Sequence, residues 1–298
     1  MPRTLDAKHS QAHPSDWFPR YQHRAGRILL RVLLLALVAA GAFLFLLPLA
    51  WMVSTAGKDP SLTWKVPPVW IPPDYKWQNF VESWNMLPFP RFYYNTITIT
   101  LLSVAGVLVS SSLAAFAFAR LKFPGRDVLF LLVLAVLMLP GQITMIPVYI
   151  LYTKLGLVNT HPSLYLQSWL GDAFSIFMLR QFFMTIPLDL DDAARIDGAS
   201  RFGVFLRIIV PLSKPALAVV AIFQFTFMWN NFFRPLIYIN DLRLFPVALA
   251  LRLFQDETRI DLQYMMAQTV VFVVPVLILF FVAQRFFIQG IVITGVKG

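Results

Sequence analysis

The 298 residues contain no cysteine, which removes disulfides, thiolate metal sites, cysteine nucleophiles and lipoprotein anchoring, and leaves the redox compartment unreadable. Charge is scarce as well: Asp, Glu, Lys and Arg make up 13%, about half the share of a soluble domain. Histidine is nearly absent. His9, His13 and His23 fall before the first apolar run and His161 between two others, and no pair has metal-ligand spacing. Nor is there an HExxH, a GxSxG, a GxGxxG or a P-loop. The chain therefore offers no catalytic constellation, no metal site and no ATP site of its own.

What fills the space is apolar. Hydrophobic residues reach 58% and the mean hydropathy is +0.67, too much apolar surface for one water-soluble core. Six apolar runs, at about 28–53, 92–119, 128–152, 164–183, 215–239 and 263–285, are long enough to cross a bilayer as helices. The fold class expected is an all-α polytopic membrane protein with six transmembrane helices. The fourth run is the weakest, because Gln167, Asp172 and Arg180 interrupt it. The first run exceeds a signal-peptide core in length and follows a charged tail, so it is expected to remain as an anchor.

Lysine and arginine set the orientation. With the N-terminus inside, the inner segments hold Arg3, Lys8, Arg20, Arg24, Arg27, Arg31, Arg120, Lys122, Arg126, Arg180, Arg195, Arg201, Arg207, Lys214, Arg285 and Lys297, which is 16 of 25. Both termini are thus expected in the cytoplasm. The domain reading is a tail over 1–27, a six-span domain over 28–288 with an inner loop at 184–214, and a tail over 289–298. The net charge of +10 is accounted for by basic residues beside anionic lipid headgroups, so lipid and not nucleic acid is the expected partner.

Two segments are irregular. The outer stretch 54–91 is rich in Pro and Trp, and its prolines forbid a long helix. Trp51, Trp64, Trp70, Trp77 and Trp84 suit either an aromatic belt at the headgroups or a contact surface for an external partner. In the third run, Pro140, Gly141 and Pro147 predict a kink or break, either for packing or to line a cavity.

Polar residues inside the spans are few. Asp172 is the one carboxylate within an apolar run; it reads as lining a solute path or as a buried helix-terminus or hydrogen-bonding group. The fifth run carries Gln224, Thr226, Trp229, Asn230 and Asn231. Amides beside an aromatic ring suit a polyhydroxylated solute, and they equally suit bonds between helices. A secondary carrier or proton relay would need more intramembrane ionisable groups than this.

The most informative stretch is 189–215, DLDDAARIDGASRFGVFLRIIVPLSKP, with four aspartates, three arginines and a lysine. It is too charged for a bilayer and too short for a domain. Pro187 starts a helix whose first turn holds Asp189, Asp191 and Asp192, where the helix dipole favours negative charge. Ala193 and Ala194 thin its surface, and Gly198 suits the left-handed residue that ends it. Ser200 then caps a second helix, which Pro211 disturbs. The spacing predicts a helix, a glycine elbow and a helix, with a first arm of about 10 residues or roughly 15 Å. Such a rod, held between two spans, transmits a push.

This pattern resembles the coupling loop of the inner-membrane permease subunits of ABC importers: E-A-A, three residues, Gly, nine residues, then I-x-L-P. Here it reads Asp192-Ala193-Ala194, Gly198, and Ile208, Val210 and Pro211, with Asp in place of Glu and Val in place of Leu. WIPPDYKWQNF, LGLVNTHPSL, FMWNNFFRPL and the terminal QRFFIQGIVITGVKG are similar to segments of the carbohydrate-uptake permeases of the maltose-type second subunit.

The resemblance implies a permease for a carbohydrate in a bacterial or archaeal inner membrane. It also implies a second homologous permease, two ABC ATPase subunits that hold the ATP and Mg, and an external solute-binding protein. Asp191, Asp192, Ala193, Ala194, Arg195, Asp197 and Gly198 would form the ATPase-coupling contact, and Gln289, Gly290 and Lys297 a C-terminal contact with the ATPases. Asp172, Gln224, Trp229, Asn230 and Asn231 are the expected path-lining residues. Alternatives are an ABC permease for another solute, such as a glycerol phosphoester, and a secondary carrier.

Overall fold

The structure is a computed structural model that describes residues 22–255 and 261–294. Its regular elements among those residues are helical, and the chain divides into two compact units, residues 1–51 and 52–298. The first unit holds most of α1 (Gln22–Ala56), whose stretch Ile28–Ala56 is long and apolar enough to cross a membrane.

In the second unit, the Pro-rich stretch yields only the single turn α2 (Pro60–Thr63) and α3 (Gln78–Met86), as its prolines require. The long helix α4 (Phe89–Arg120) follows, uninterrupted because its sole internal glycine and its serines keep helical backbone. The third apolar run is α5 (Arg126–Val136) and α6 (Gly141–Lys154), which bend by 100° where Pro140 has no donor to continue the ladder. The predicted break is present.

The fourth run is broken too: α7 (Pro162–Tyr165), a 3₁₀ turn Leu166–Leu170, then Gly171 at φ +95° and α8 (Ala173–Thr185). Next comes the elbow, made of α9 (Leu188–Ile196), α10 (Arg201–Val204), a π-helical turn Phe205–Ile209 and α11 (Val210–Leu212). The fifth run splits at Asn230–Phe232 into α12 (Lys214–Trp229) and α13 (Phe233–Tyr238), a division its apolar sequence does not announce. After α14 (Val247–Ala250), α15 (Leu262–Thr294) runs nine residues past the expected end of the last span. A lone glycine at position 290 costs a helix only about 1 kcal/mol, so the apolar residues around it continue the turn pattern.

Among the described residues, α1, α4 and Leu262–Gln284 are long and apolar enough to cross a membrane, and up to six spans result when each bent helix pair counts as one. The six-span expectation fits that upper count. α4 is the central helix of the second unit, packed against α8, α12 and the 3₁₀ turn between α7 and α8. One core joins Val107, Phe116, Leu179, Phe183, Phe205, Ile209 and Val220. Another joins Phe89, Phe92, Trp229, Val247 and Phe272, and a third Ile99, Tyr152, Leu164, Met228 and Tyr238.

Lipid tails are as apolar as these side chains, so burial alone drives little association here; close packing and internal hydrogen bonds hold the helices. The seam shows both. A Cβ on Gly106 would lie 2.5 Å from the Trp169 ring, so glycine is what lets that indole seat on α4. Asn95 Nδ2 donates to the carbonyls of Arg243 (2.9 Å) and Phe245 (3.0 Å), and Thr96 Oγ1 accepts from the Val247 amide at 2.8 Å. These bonds hold the irregular 240–250 stretch against α4.

Candidate functional site

Two places carry the chemistry: the elbow, and the C-terminal end of α12, where the helix breaks.

The elbow forms as its residues dictate. Pro187 sits at the N-cap of α9, and Asp189 and Asp191 occupy the first turn, complementing the helix dipole. The end of α9 is closed by backbone bonds, Gly198 N to Arg195 O at 3.0 Å and Ala199 N to Ala194 O at 2.9 Å. Gly198 stands at φ +85°, where an L side chain is strained, and a Cβ there would meet nothing within 4 Å. Ser200 Oγ accepts from the Gly203 amide at 3.1 Å and caps α10. The π-helical turn absorbs the extra residue just before Pro211, which lacks a donor.

No residue of α9 is fully buried. Asp192, Ala193, Arg195, Asp197 and Gly198 are exposed, and Ile196 projects with 87% of its surface free. Ala194 is turned partly onto the inner core. Asp191 differs from its neighbours in the motif. Its carboxylate points inward, with Oδ2 3.4 Å from Arg120 Nε at the end of α4. The same guanidinium donates through a second nitrogen to the Ile186 carbonyl at 2.7 Å. Burial pushes the Asp191 carboxyl up, more than Arg120 pulls it down. Arg120 thus pins the start of the elbow to the end of α4, a tie that the sequence does not show. A cavity of about 330 Å³ beside it is lined by Arg120, Leu188, Asp191, Asp192 and Arg201.

The expected path residues do not act as a set. Asp172 is the N-cap of α8: its carboxylate accepts from Ser175 N at 2.8 Å and Ser175 Oγ at 2.7 Å, while its own amide donates to Ser111 Oγ. Gln224 Nε2 donates to Ser168 Oγ at 3.0 Å. Trp229 is 2% exposed, stacked on Phe225 and Phe272, with Nε1 donating to the Phe272 carbonyl at 3.0 Å. It ties α12 to α15 and faces away from open space.

Asn230 and Asn231 do line an open groove of about 620 Å³, with Phe223, Thr226, Phe227, Phe232 and Phe233. Asn230 Nδ2 donates back to the Thr226 carbonyl, and Asn231 Oδ1 accepts from the Arg234 amide at 3.1 Å, so the amide pair closes one helix and opens the next. Sequence reasoning passed over Arg234. Its signal was its being the one charged residue in the run 215–239.

At the C-terminal end, Gln289 and Gly290 fall within α15, the Gln289 side chain lying outside what is described, and Lys297 lies outside the described residues altogether. Among the described residues no cluster of His, Asp or Glu has the geometry of a metal site.

Residues 106–293 match the family described as binding-protein-dependent transport system inner membrane component. The probable ABC transporter permease protein YurM of Bacillus subtilis (strain 168) is 33% identical over 265 residues, covering 86% of each chain. The arabinooligosaccharides transport system permease protein AraQ of Halalkalibacterium halodurans is 39% identical over 209 residues, 70% of this chain and 74% of the relative. In fold, the chain is similar to a bacterial ABC transporter involved in the import of the acidic polysaccharide alginate, with a TM-score of 0.77 over 91% of this chain and 99% of that one, at 23% identity. Three to six candidate spans, a glycine elbow and a family match across most of the chain lead to one conclusion: this multi-pass membrane protein belongs to the inner-membrane permease family of binding-protein-dependent ABC importers.

Proposed function

We propose that the chain is one half of the translocation pore of an ATP-driven importer for a carbohydrate, in a bacterial or archaeal inner membrane, with both termini in the cytoplasm. A second homologous permease completes the pore, an external binding protein delivers the solute, and two ATPase subunits bind the ATP and Mg. Residues 28–288 form the membrane domain, with the short tails 1–27 and 289–298 flanking it. Similarity to an arabinooligosaccharide permease supports the carbohydrate class.

The observation that carries this reading is the elbow. A chain with no nucleotide site of its own must receive its work from outside, and α9 is a nine-residue rod whose Asp192, Arg195 and Asp197 are exposed. Its C-terminal end is closed by the backbone bonds of Gly198 and Ala199, and it is pinned to α4 by Arg120. Its exposed face docks in a groove of an ATPase subunit. Closure of the ATPases then moves α9, and through the Arg120 tie and the core around Phe183 and Phe205 it tilts α4, α8 and α12 together. Gln289, Gly290 and Lys297 add a second contact with the ATPases.

Gly198→Val tests this. A β-branched residue in left-handed backbone costs about 1–2 kcal/mol locally, which leaves the membrane fold standing and deforms the elbow. In the purified complex, hydrolysis stimulated by sugar-loaded binding protein is expected to fall to the unstimulated rate. Stimulation equal to wild type would show that the elbow is only a loop.

A further inference from the structure

The Pro- and Trp-rich stretch between α2 and α3 has no part in the coupling reading, and its backbone folds back onto the end of α1. Ser54 Oγ donates to the Trp70 carbonyl, and Tyr75 Oη donates to the Val53 carbonyl at 2.9 Å. The Lys76 amide donates to the Gly57 carbonyl at 2.9 Å, and Asn79 Nδ2 to the carbonyls of Ala56 and Lys58 at 2.8 and 2.9 Å. Gly57 makes room for this seat, since a Cβ there would lie 2.2 Å from the Tyr75 ring. The Lys76 ammonium closes the strap on the Asp59 carboxylate.

These bonds fix a level. The membrane-length stretch of α1 ends at Ala56, so Val53 and Ser54 lie inside it. At 1.5 Å per residue, the Trp70 carbonyl and the Tyr75 hydroxyl are anchored within about 5 Å of that end along the helix. Two more such stretches begin nearby. Phe89–Arg120 opens directly after α3, and Leu262–Gln284 opens beside α3, where Tyr264 Oη donates to Glu82 at 2.6 Å and Gln268 Nε2 to Ser83 Oγ at 2.9 Å. The strap therefore lies where three candidate spans end, and does not project beyond them.

What it exposes there is apolar. Val66, Ile71 and Trp77 leave 89%, 86% and 70% of their surface free, and Trp64 and Trp70 are exposed too. A row of this kind marks a surface with a partner. Lys65, Asp74 and Lys76 are its only charges between residues 64 and 77, and Lys76 is held by Asp59. Pro67, Pro68, Pro72 and Pro73 have no N–H, so the backbone strands few donors against an apolar layer. Indoles suit the depth at which a ring meets acyl carbons and its N–H meets headgroups.

We propose that residues 64–77 are an interfacial strap seated in the lipid headgroup layer at the end of α1, with Trp64, Trp70 and Trp77 among the headgroups and Val66 and Ile71 against the first acyl carbons. Its partner is lipid and not the external binding protein, for which a surface tied back to the last turn of a span is out of reach. So seated, the strap holds the end of α1 and α3 at a fixed depth while other helices move.

The chain has no cysteine, so a nitroxide on Val66→Cys or Ile71→Cys is unique in it. Each variant is assembled into the full complex with cysteine-free partner subunits and placed in vesicles of phosphatidylglycerol and phosphatidylethanolamine. Collision with oxygen is compared with collision with a water-soluble nickel chelate; a headgroup-level lipid nitroxide and free label in buffer bracket the ratio. At both positions the oxygen-to-nickel ratio is expected several-fold above that of free label, at the lipid reference, and unchanged by excess solute-loaded binding protein. Without any label, lipids brominated near the headgroup should quench tryptophan emission less in Trp77→Phe than in wild type.

A ratio equal to that of free label would put the strap in water and overturn the proposal. Immobilisation of the label on adding binding protein would make the strap that protein's contact surface, and protection from both reagents beforehand would bury it against another subunit. Either result overturns the proposal and leaves the importer reading intact.

Discussion

The elbow and the seam of α4 against its neighbours are held in opposite ways. The first arm of the elbow, α9, is exposed and charged with no fully buried residue: its shape comes from Pro187 and Gly198, and it is tied to the end of α4 by Arg120. The seam has little charge. It relies on the close fit of Gly106 under Trp169, on Ser110 Oγ donating to the Ser168 carbonyl, and on Asn95 and Thr96 holding the 240–250 stretch. The lever proposed for the elbow must keep its own form while moving as a body, and the backbone closure at Gly198 with the Ser200 cap suits that. Helices that slide against one another in lipid must stay registered without a hydrophobic drive, and close contact with satisfied polar groups provides that.

The largest effect is expected where the two regions meet. Arg120→Leu leaves Asp191 mostly buried without its counter-charge and the Ile186 carbonyl without a donor. Breaking a buried pair on one side costs about 3 kcal/mol where, as here, the carboxylate keeps some solvent. The sign with pH follows from burial. Asp191 already holds its proton more readily in the folded chain than in the unfolded one, and losing Arg120 raises its pKa further. The stability it retains in acid is lost as pH rises through the folded pKa, so the melting temperature in detergent should drop more at pH 8 than at pH 5. Adding Asp191→Leu should restore most of the loss. A double variant as unstable as the single one would mean that the Ile186 bond, not the charge, fixes the elbow.

Within the seam, Gly106→Ala sharpens the contrast. The new Cβ would stand 2.5 Å from the Trp169 ring, so either the indole or α4 must move. Overpacking of this kind costs about 2 kcal/mol, read as a lower melting temperature with the elbow's ATPase stimulation reduced only in proportion to folded protein. Gly198→Val should do the reverse, with coupling lost and melting little changed. If both substitutions lowered stimulation and melting alike, lever and seam would not be separable.

How much of this was legible depended on range. The elbow was written locally, because caps, turn glycines and helix-dipole charges act within a few residues of themselves; Pro187, Gly198, Ser200 and Pro211 each stand where the spacing puts them. The break at Pro140 was legible for the same reason. The inward turn of Asp191 was not, since Arg120 stands at the end of α4, far from α9 in sequence, and nothing local to α9 points to it. The division of the fifth run at Asn230–Phe232 was likewise hidden, because nothing in the residue type of Asn231 shows that its side chain will accept the Arg234 amide and open the next helix.

Trp229 is where residue type leaves two readings open, a solute contact and a bond between helices, and it supplies the smallest prediction. An indole beside two amides reads as a sugar platform, yet its ring is sandwiched between Phe225 and Phe272 and its N–H is spent on the Phe272 carbonyl. Its neighbours one and two positions on, Asn230 and Asn231, face the groove because helix α12 ends between them and it. Trp229→Phe keeps the stacking and removes one buried hydrogen bond, a cost of about 1 kcal/mol. The expected result is a small fall in melting temperature with the KM for the solute unchanged. A raised KM with unaltered melting would move Trp229 into the solute path and would mean that α12 turns by a large angle between the states of the transport cycle.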